Sequence, residues 1–174
     1  MILLRLSLCA LASIFLSAGL LPCAGAQTHS ASGQHKKDKL MAMHAKGSFD
    51  VKSTPLPADD ATTGTSIGRV ALDKQFHGDL DAASKGEMLG AGNPATGTAG
   101  YVAMEQVTGT LHGKSGSFAL EHKGTLEGGK FEPNVTVVPG SGTGELTGIA
   151  GDMTITIAAG KHSYSFDYTL PAAP

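Results

Sequence analysis

The sequence has no tryptophan and only two cysteines, Cys9 and Cys23, in 174 residues. Both cysteines precede residue 27, so a domain formed by the rest of the chain has no disulfide, no thiolate nucleophile and no cysteine-ligated metal. Basic residues are also scarce, because 13 Lys and Arg stand against 15 Asp and Glu. A nucleic-acid-binding domain usually carries a basic patch, so we predict no nucleic-acid partner.

The N-terminus has the three parts of a secretory signal. Arg5 precedes an apolar run from Leu6 to Leu21, and Ala24-Gly25-Ala26 supplies small residues for cleavage. The run is shorter than the ~20 residues that a membrane-spanning helix needs. We therefore predict a signal peptide over 1–26 and a periplasmic or secreted protein that leaves the membrane after cleavage. Lipidation of Cys23 is the alternative, although a proline stands directly before it.

Residues 27–44 are polar, mixed in charge and aperiodic, which predicts a flexible leader. His29, His35 and His44 lie in this segment, but their spacing fits no compact metal chelate. We predict neither a metal nor another cofactor.

Residues 45–171 alternate between apolar and polar side chains with the period of a β-strand. Phe76 to Met88 keeps one phase throughout, which indicates a single strand. Turn sequences such as His112-Gly113 and Ala159-Gly160 separate about eight such runs, and no helical crossover joins them. The prediction is an all-β fold, a closed antiparallel barrel, since closure hides the sheet edges; a two-sheet sandwich is the alternative.

Three groups of motifs carry a resemblance to a known family. They are Phe76-His-Gly-Asp-Leu80 with Ser84-Lys-Gly-Glu-Met88; Gly100-Tyr-Val-Ala-Met-Glu105 with Thr108-Gly-Thr-Leu111 and Gly116-Ser-Phe118; and Pro139-Gly-Ser-Gly-Thr-Gly-Glu-Leu146 with His162-Ser-Tyr164 and Asp167-Tyr168. The chain thereby resembles the bacterial domain-of-unknown-function family 3224. The resemblance implies a small β-barrel, grouped by fold with plant allene oxide cyclase, but it implies no activity and no functional residues.

Polar residues on otherwise apolar strand faces are the candidates for a site. If those faces point into a barrel, they would meet in a confined apolar space and form a candidate ligand-binding set: Tyr101, Glu105, His122, His162, Tyr164 and Ser84. Such a set could hold the polar group of a small, partly apolar ligand.

Other functions stay open at this stage. The same residues could move a proton in an enzyme of isomerase or cyclase type, an idea that rests on the fold analogy. Alternatively, each is a structural group paired within the core, and the outer face of the barrel serves protein interaction. The sequence does not decide whether the protein is an enzyme or forms a homo-oligomer.

Overall fold

A computed structural model describes residues 40–57 and 67–172. Eight strands follow one another in these ranges: β1 Leu40–Leu56, β2 Gly68–Gly78, β3 Leu80–Asn93, β4 Thr98–Leu111, β5 Lys114–Glu127, β6 Lys130–Val137, β7 Ala150–Ala158 and β8 Lys161–Pro171. The only helical elements in the described part are 3-10 turns at Pro94–Thr96 and Gly144–Leu146. None of the described helices has the length and apolar character needed to span a bilayer. The predicted signal peptide lies outside the described residues, as does most of the predicted leader.

The strands form a closed antiparallel barrel in sequence order, which confirms the predicted architecture. Closure comes from β1, which pairs with β2 on one side and with β8 on the other. Phe49 lies opposite Phe76 in one ladder and opposite His162 in the other. Each of the eight described strands therefore has a neighbour on both sides over at least part of its length, which limits the edge to which another chain could add.

Tight turns join several of the strands. The two-residue connections His112-Gly113, Gly128-Gly129 and Ala159-Gly160 all have positive φ at both positions. This is the requirement of a type I′ turn, whose twist matches that of the flanking strands. The hairpins predicted at these sequences are confirmed.

Two strand boundaries differ from the sequence prediction. The strand predicted from Phe76 to Met88 is two strands, because the chain reverses at Gly78 (φ 105°) and Asp79. The turn is so short that the alternation keeps its phase across it, which hides the break. In addition, Leu40 to His44, predicted as the end of the leader, form the start of β1. Pairing with β8, as in Met43 opposite Tyr168, holds them in the ladder.

The two ends of the barrel are different. At one end, which we call the closed end, β2 meets β3, β4 meets β5, and residues 138–149 lie across the barrel. Its interior is filled by side chains that are at most 1% exposed, namely Phe76, Leu80, Leu111, Phe118, Leu120 and Phe166. Leu146 and Ile149 from the connection belong to the same cluster. The opposite end, where β3 meets β4, β5 meets β6 and β7 meets β8, we call the open end.

The glycine-rich connection before β7 works as a substitute strand. Its side chains at alternate positions accept hydrogen bonds from β5 backbone amides at alternate positions: Ser141 Oγ from Ala119, Thr143 Oγ1 from Ser117 and Glu145 Oε2 from Ser115, at 2.8 to 3.1 Å. A Cβ at position 142 would lie 2.1 Å from the carbonyl oxygen of Leu146, so glycine is required there. Residues 141–145 close the barrel at this point. Their side chains supply hydrogen-bond acceptors for the backbone amides of β5 that β6 is too short to pair with.

Candidate functional site

The register of the sheet brings four polar side chains to one level of the barrel interior. Lys74 on β2 lies opposite Ser84 on β3. Glu105 on β4 lies opposite Gly86, and its strand neighbour two residues earlier, Ala103, lies opposite His122 on β5. Glu105 is therefore diagonal to both Ser84 and His122, a separation that long side chains can span.

Glu105 is the centre of this cluster. It is 2% exposed, and its Oε1 accepts hydrogen bonds from Lys74 Nζ and His122 Nε2, both at 2.8 Å. Ser84 Oγ donates to the other oxygen, Oε2, at 2.9 Å. A buried carboxylate normally needs such partners, and both oxygens of Glu105 have them. We call Lys74, Ser84, Glu105 and His122 the buried polar cluster.

The electrostatics keep the Glu105 carboxyl ionised. Burial raises its pKa, but the hydrogen bond from His122 and the positive charge of Lys74 outweigh burial, and the pKa falls from 4.5 to about 2. The Lys74 ammonium also lies 5.1 Å from the centre of the Phe49 ring and 5.9 Å from that of Phe76. Aromatic faces attract a cation, so the charge is held from two sides.

The carboxylate also determines which nitrogen of His122 carries a proton. An ionised carboxylate can only accept hydrogen bonds, so Nε2, which faces it, must be the donor. In the neutral imidazole, Nδ1 then has a free lone pair and acts as an acceptor. No hydrogen bond within residues 40–57 and 67–172 involves Nδ1 of His122. This is the arrangement of a carboxylate-oriented histidine whose second nitrogen is free to bind or to accept a proton.

A cavity of about 290 Å³ reaches this cluster from the open end, and we call it the inner cavity. Lys74 and His122 line it, whereas Glu105 lies behind them and does not. The remaining wall is mostly apolar: Phe49, Val51, Leu72, Met88, Tyr101, Ala103, Phe131, Pro133, Ile155, Ile157 and His162. It is therefore an apolar space with an ammonium and an imidazole at its floor, the composition of a typical small-molecule site.

A split between two strands gives the inner cavity its shape. Only Val135 and Thr136 of β6 pair with β7, so the two strands separate toward the open end. The unpaired lengths carry Phe131 and Pro133 on one side and Ile155 and Ile157 on the other. Proline has no N–H to contribute to a ladder, which suits a strand without a partner at this point.

A second cavity of about 470 Å³, the rim cavity, adjoins the first at the open end. The two share a wall made of Met88, Tyr101 and Phe131. The rings of Tyr101 and Phe131 stack with their centres 6.0 Å apart. The two cavities are therefore neighbours, one reaching the buried polar cluster and the other lying at the edge of the barrel.

The residues predicted from the sequence fall into three groups. Ser84 and His122 each bond directly to Glu105, while Tyr101 and His162 line the inner cavity. Tyr164 shares their face but lies toward the closed end. Its hydroxyl accepts a hydrogen bond from the Leu80 amide at 2.8 Å and is 3.3 Å from the His77 carbonyl, so it is a structural group.

Lys74 was not among the residues predicted from the sequence, although it completes the cluster. A signal was present, because Lys74 alternates in phase with Leu72 and Phe76. A single lysine between apolar neighbours is usually interpreted as a strand end or an exposed position, since lysine is almost never buried unpaired. Only the register shows that it lies near Glu105.

The described residues contain no group of three or more His, Cys, Asp or Glu side chains arranged to hold a metal ion. On the outside of the barrel, Leu89 lies opposite Val102, and both are exposed together with Met104. This outer strip lines a surface pocket of about 330 Å³ that Ala103 and His122 also line.

Comparisons with known proteins agree with the fold. The family model described as protein of unknown function (DUF3224) matches residues 45–168. The crystal structure of a protein of unknown function from the DUF3224 family of Shewanella oneidensis MR-1 is 46% identical, with a TM-score of 0.68, over 76% of this chain and 100% of that one. The curated proteins include no match to this chain. These relatives name no ligand and no reaction.

Proposed function

This chain belongs to the DUF3224 family of proteins of unknown function, and from the geometry of its site we propose that it binds a small, partly apolar molecule at the open end of its barrel. One observation carries the proposal: an apolar cavity of about 290 Å³ ends on an ammonium and an imidazole that share a buried carboxylate. Apolar walls with a few convergent polar groups are the usual form of a ligand pocket.

Folding alone gives little reason for the buried polar cluster. Charges removed from water lose hydration, and replacing a buried ionic group with well-packed apolar residues is often neutral or stabilising. The adjacent layers toward the closed end are built that way, with Phe76, Phe118 and Phe166 fully buried. A binding role would explain why this layer keeps Lys74 and Glu105 instead.

The site is also built on neighbouring strands of the sheet and not on loops. Its polar residues lie on four neighbouring strands, and Glu105 enters where β3 and β4 approach closely. A Cβ at position 86 would lie 2.6 Å from the Cβ of Glu105, so Gly86 makes this approach possible. Binding groups held on a rigid scaffold lose little conformational entropy when a ligand binds.

Native mass spectrometry of the protein purified from its own cells tests the proposal. We expect a small molecule on the natural protein and none on the triple variant Lys74→Met/Glu105→Leu/His122→Leu, which removes the polar floor and leaves its volume similar. The matched control is Asp73→Leu/Lys85→Met, a 3.6 Å ion pair on the outer faces of β2 and β3. Equal occupancy of all three proteins, or no bound molecule on any of them, would reject the proposal.

A second candidate function is proton transfer, which the free Nδ1 of His122 favours. In this reaction Nδ1 takes a proton from a carbon beside a ketone carbonyl, and the C–H electron pair becomes the enolate. Lys74 donates a hydrogen bond to the enolate oxygen, and His122 returns the proton to the same or a conjugated carbon. The net reaction is an isomerisation that needs no co-reactant.

Exchange of deuterium from D2O into cyclohexanone, followed by NMR, tests this second candidate. The natural protein should accelerate exchange, and His122→Gln should remove the acceleration while Ser163→Ala, on the outer face of β8, should not. Identical rates for the natural protein and His122→Gln would leave binding as the only proposed role.

We also propose that the protein is exported and acts in the periplasm or outside the cell. The support is the sequence of residues 1–26. N-terminal sequencing of the mature protein should begin at Gln27. A mature chain that begins at Met1 in the cytosol would contradict export, and a lipid on Cys23 would contradict the proposed cleavage site.

A further inference from the structure

Two side chains at the floor of the inner cavity, Lys74 and His122, have hydrogen-bonding capacity left. Both oxygens of Glu105 are occupied by Lys74, His122 and Ser84. Of the groups that line the cavity, the Lys74 ammonium has further N–H donors, and the Nδ1 of neutral His122 is an acceptor. The floor therefore offers donors on Lys74 and an acceptor on His122, two side chains that both bond to Glu105 Oε1 through their other hydrogen-bonding atoms.

The charge of the floor restricts the ligand further. When His122 is neutral, the positive charge of Lys74 balances the negative charge of Glu105, and both of these side chains are at most 6% exposed. A carboxylate entering this apolar space would bring an unbalanced charge and lose its hydration. An ammonium would meet Lys74 at close range with the same sign of charge. An uncharged head group avoids both costs.

The rim cavity shows where the rest of the molecule lies. One layer of the barrel at the open end runs across five strands in register: Gly68, Gly90, Tyr101, Gly124 and Pro133. Gly124 is needed because the Tyr101 ring lies over it, with a Cβ placed there only 2.3 Å from the ring. Packing among the described residues makes no such demand at Gly68 and Gly90.

Gly68 and Gly90 leave space beside the rim cavity, although neither packing nor backbone conformation requires glycine at these positions. A Cβ at Gly90 would meet its nearest atoms at 3.7 Å, and one at Gly68 at 3.9 Å, which are ordinary contacts. Neither has the positive φ that favours glycine. Glycine weakens a strand relative to residues with side chains. The lack of side chains here keeps the rim cavity open.

We propose that the ligand is an uncharged alcohol or phenol whose hydroxyl binds between Lys74 and His122, and whose apolar body extends past Tyr101 into the rim cavity. A hydroxyl accepts one hydrogen bond and donates another, which matches the floor. This inference rests on the proposed binding function and specifies its ligand class.

Isothermal titration calorimetry with simple amphiphiles tests the head group. We expect octanol to bind at least tenfold more tightly than octanoate or octylamine to the natural protein at neutral pH. His122→Leu, which removes the acceptor, should weaken octanol binding about tenfold. Octanoate or octylamine binding as tightly as octanol would overturn the inference.

Chain length tests the rim cavity. Dodecanol should bind at least tenfold more tightly than hexanol, and Gly90→Val should remove most of that difference by filling the rim. The matched control is Ala83→Val, which adds the bulk of valine to the outer face of the same strand β3. Equal affinity for dodecanol in the natural protein and Gly90→Val would overturn the placement of the apolar body.

The outcomes distinguish a failure of the proposed ligand class from a failure of the proposed binding function. Tight binding of octanoate that the triple variant loses would keep the proposed function and reject the alcohol class. Failure of every amphiphile to bind, together with an empty protein in native mass spectrometry, would reject both. Circular dichroism of each variant checks that the barrel is intact.

Discussion

The two ends of the barrel are made by the same strands but differ in the side chains that face inward. At the closed end, inward side chains are large, apolar and fully buried, and residues 138–149 add Leu146 and Ile149 across the barrel. At the open end, the layer that runs from β2 to β6 is mostly glycine and proline, with Tyr101 as its one large side chain. One end holds the core, and the other leaves two cavities above the buried polar cluster.

This difference indicates that the closed end stabilises the fold and that the open end is suited to binding the proposed ligand. Close packing is what stabilises a small domain, and it requires a filled interior. A binding site needs an unfilled interior and polar groups that are not ideal for stability. The barrel separates the two requirements by only a few residues along each strand.

The largest effect on stability should come from the closed end. Phe118 is fully buried and stacks on Phe166, with ring centres 5.9 Å apart. Phe118→Ala should lower the free energy of unfolding by about 4 kcal/mol, through lost burial and the cavity that remains. Phe131→Ala at the open end, where the ring is 47% exposed, should change it by less than about 1 kcal/mol. Equal losses in urea denaturation would contradict the comparison.

Within the buried polar cluster, removing one charge should matter more than removing all of them. Lys74→Met leaves the Glu105 carboxylate without its cation and should cost about 3 kcal/mol. The triple variant Lys74→Met/Glu105→Leu/His122→Leu leaves no unpaired charge and should be as stable as the natural protein within about 1 kcal/mol. Urea denaturation of both variants checks this order. A triple variant less stable than Lys74→Met would show that the cluster serves the fold.

The acid dependence of stability should also be linked to the cluster. The pKa of Glu105 is about 2 in the folded protein and near its ordinary value of 4.5 when unfolded. The folded state therefore holds fewer protons, so this contribution is complete above about pH 5 and is lost as the pH falls toward 2. The natural protein should lose stability over this window more steeply than the triple variant, as thermal unfolding would measure. Parallel curves would contradict the assignment.

The smallest effect on the free energy of unfolding should come from an exposed ion pair on the outer surface of the barrel. His44 and Asp167 are 2.7 Å apart, but their side chains are 53% and 80% exposed. Solvent screens such a pair, so Asp167→Asn should change the free energy of unfolding by less than about 0.5 kcal/mol. Urea denaturation of Asp167→Asn and Lys74→Met under the same conditions compares the two losses of stability. A loss for Asp167→Asn as large as that for Lys74→Met would contradict the distinction between exposed and buried charges.

The sequence predicts the barrel well because alternation and turn residues are local properties. His112-Gly113 and Gly128-Gly129 identify their hairpins, and the inward faces are readable strand by strand. Alternation also predicts that Glu105, His122 and Ser84 point inward. It does not give the height of each residue along the barrel, which depends on register between strands.

Register explains both the missed residue and the misplaced one. Lys74 joins Glu105 because β2 and β3 pair with Lys74 opposite Ser84. Tyr164 leaves the site because it lies opposite Gly47 of β1, which in turn lies opposite Gly78 at the β2–β3 turn of the closed end. The split between β6 and β7, which opens the inner cavity, is likewise a property of pairing. The prediction of strand faces therefore succeeded where the prediction of shared height did not.

Backbone amide NMR of the labelled protein titrated with octanol tests most directly whether the ligand binds at the open end and leaves the closed end unchanged. We expect chemical-shift changes concentrated at inner-cavity residues such as Leu72, Met88 and Ile155, with Phe118 and Leu146 at the closed end unaffected. Changes centred on the closed end, or on the exposed strip of Val102 and Met104, would contradict it.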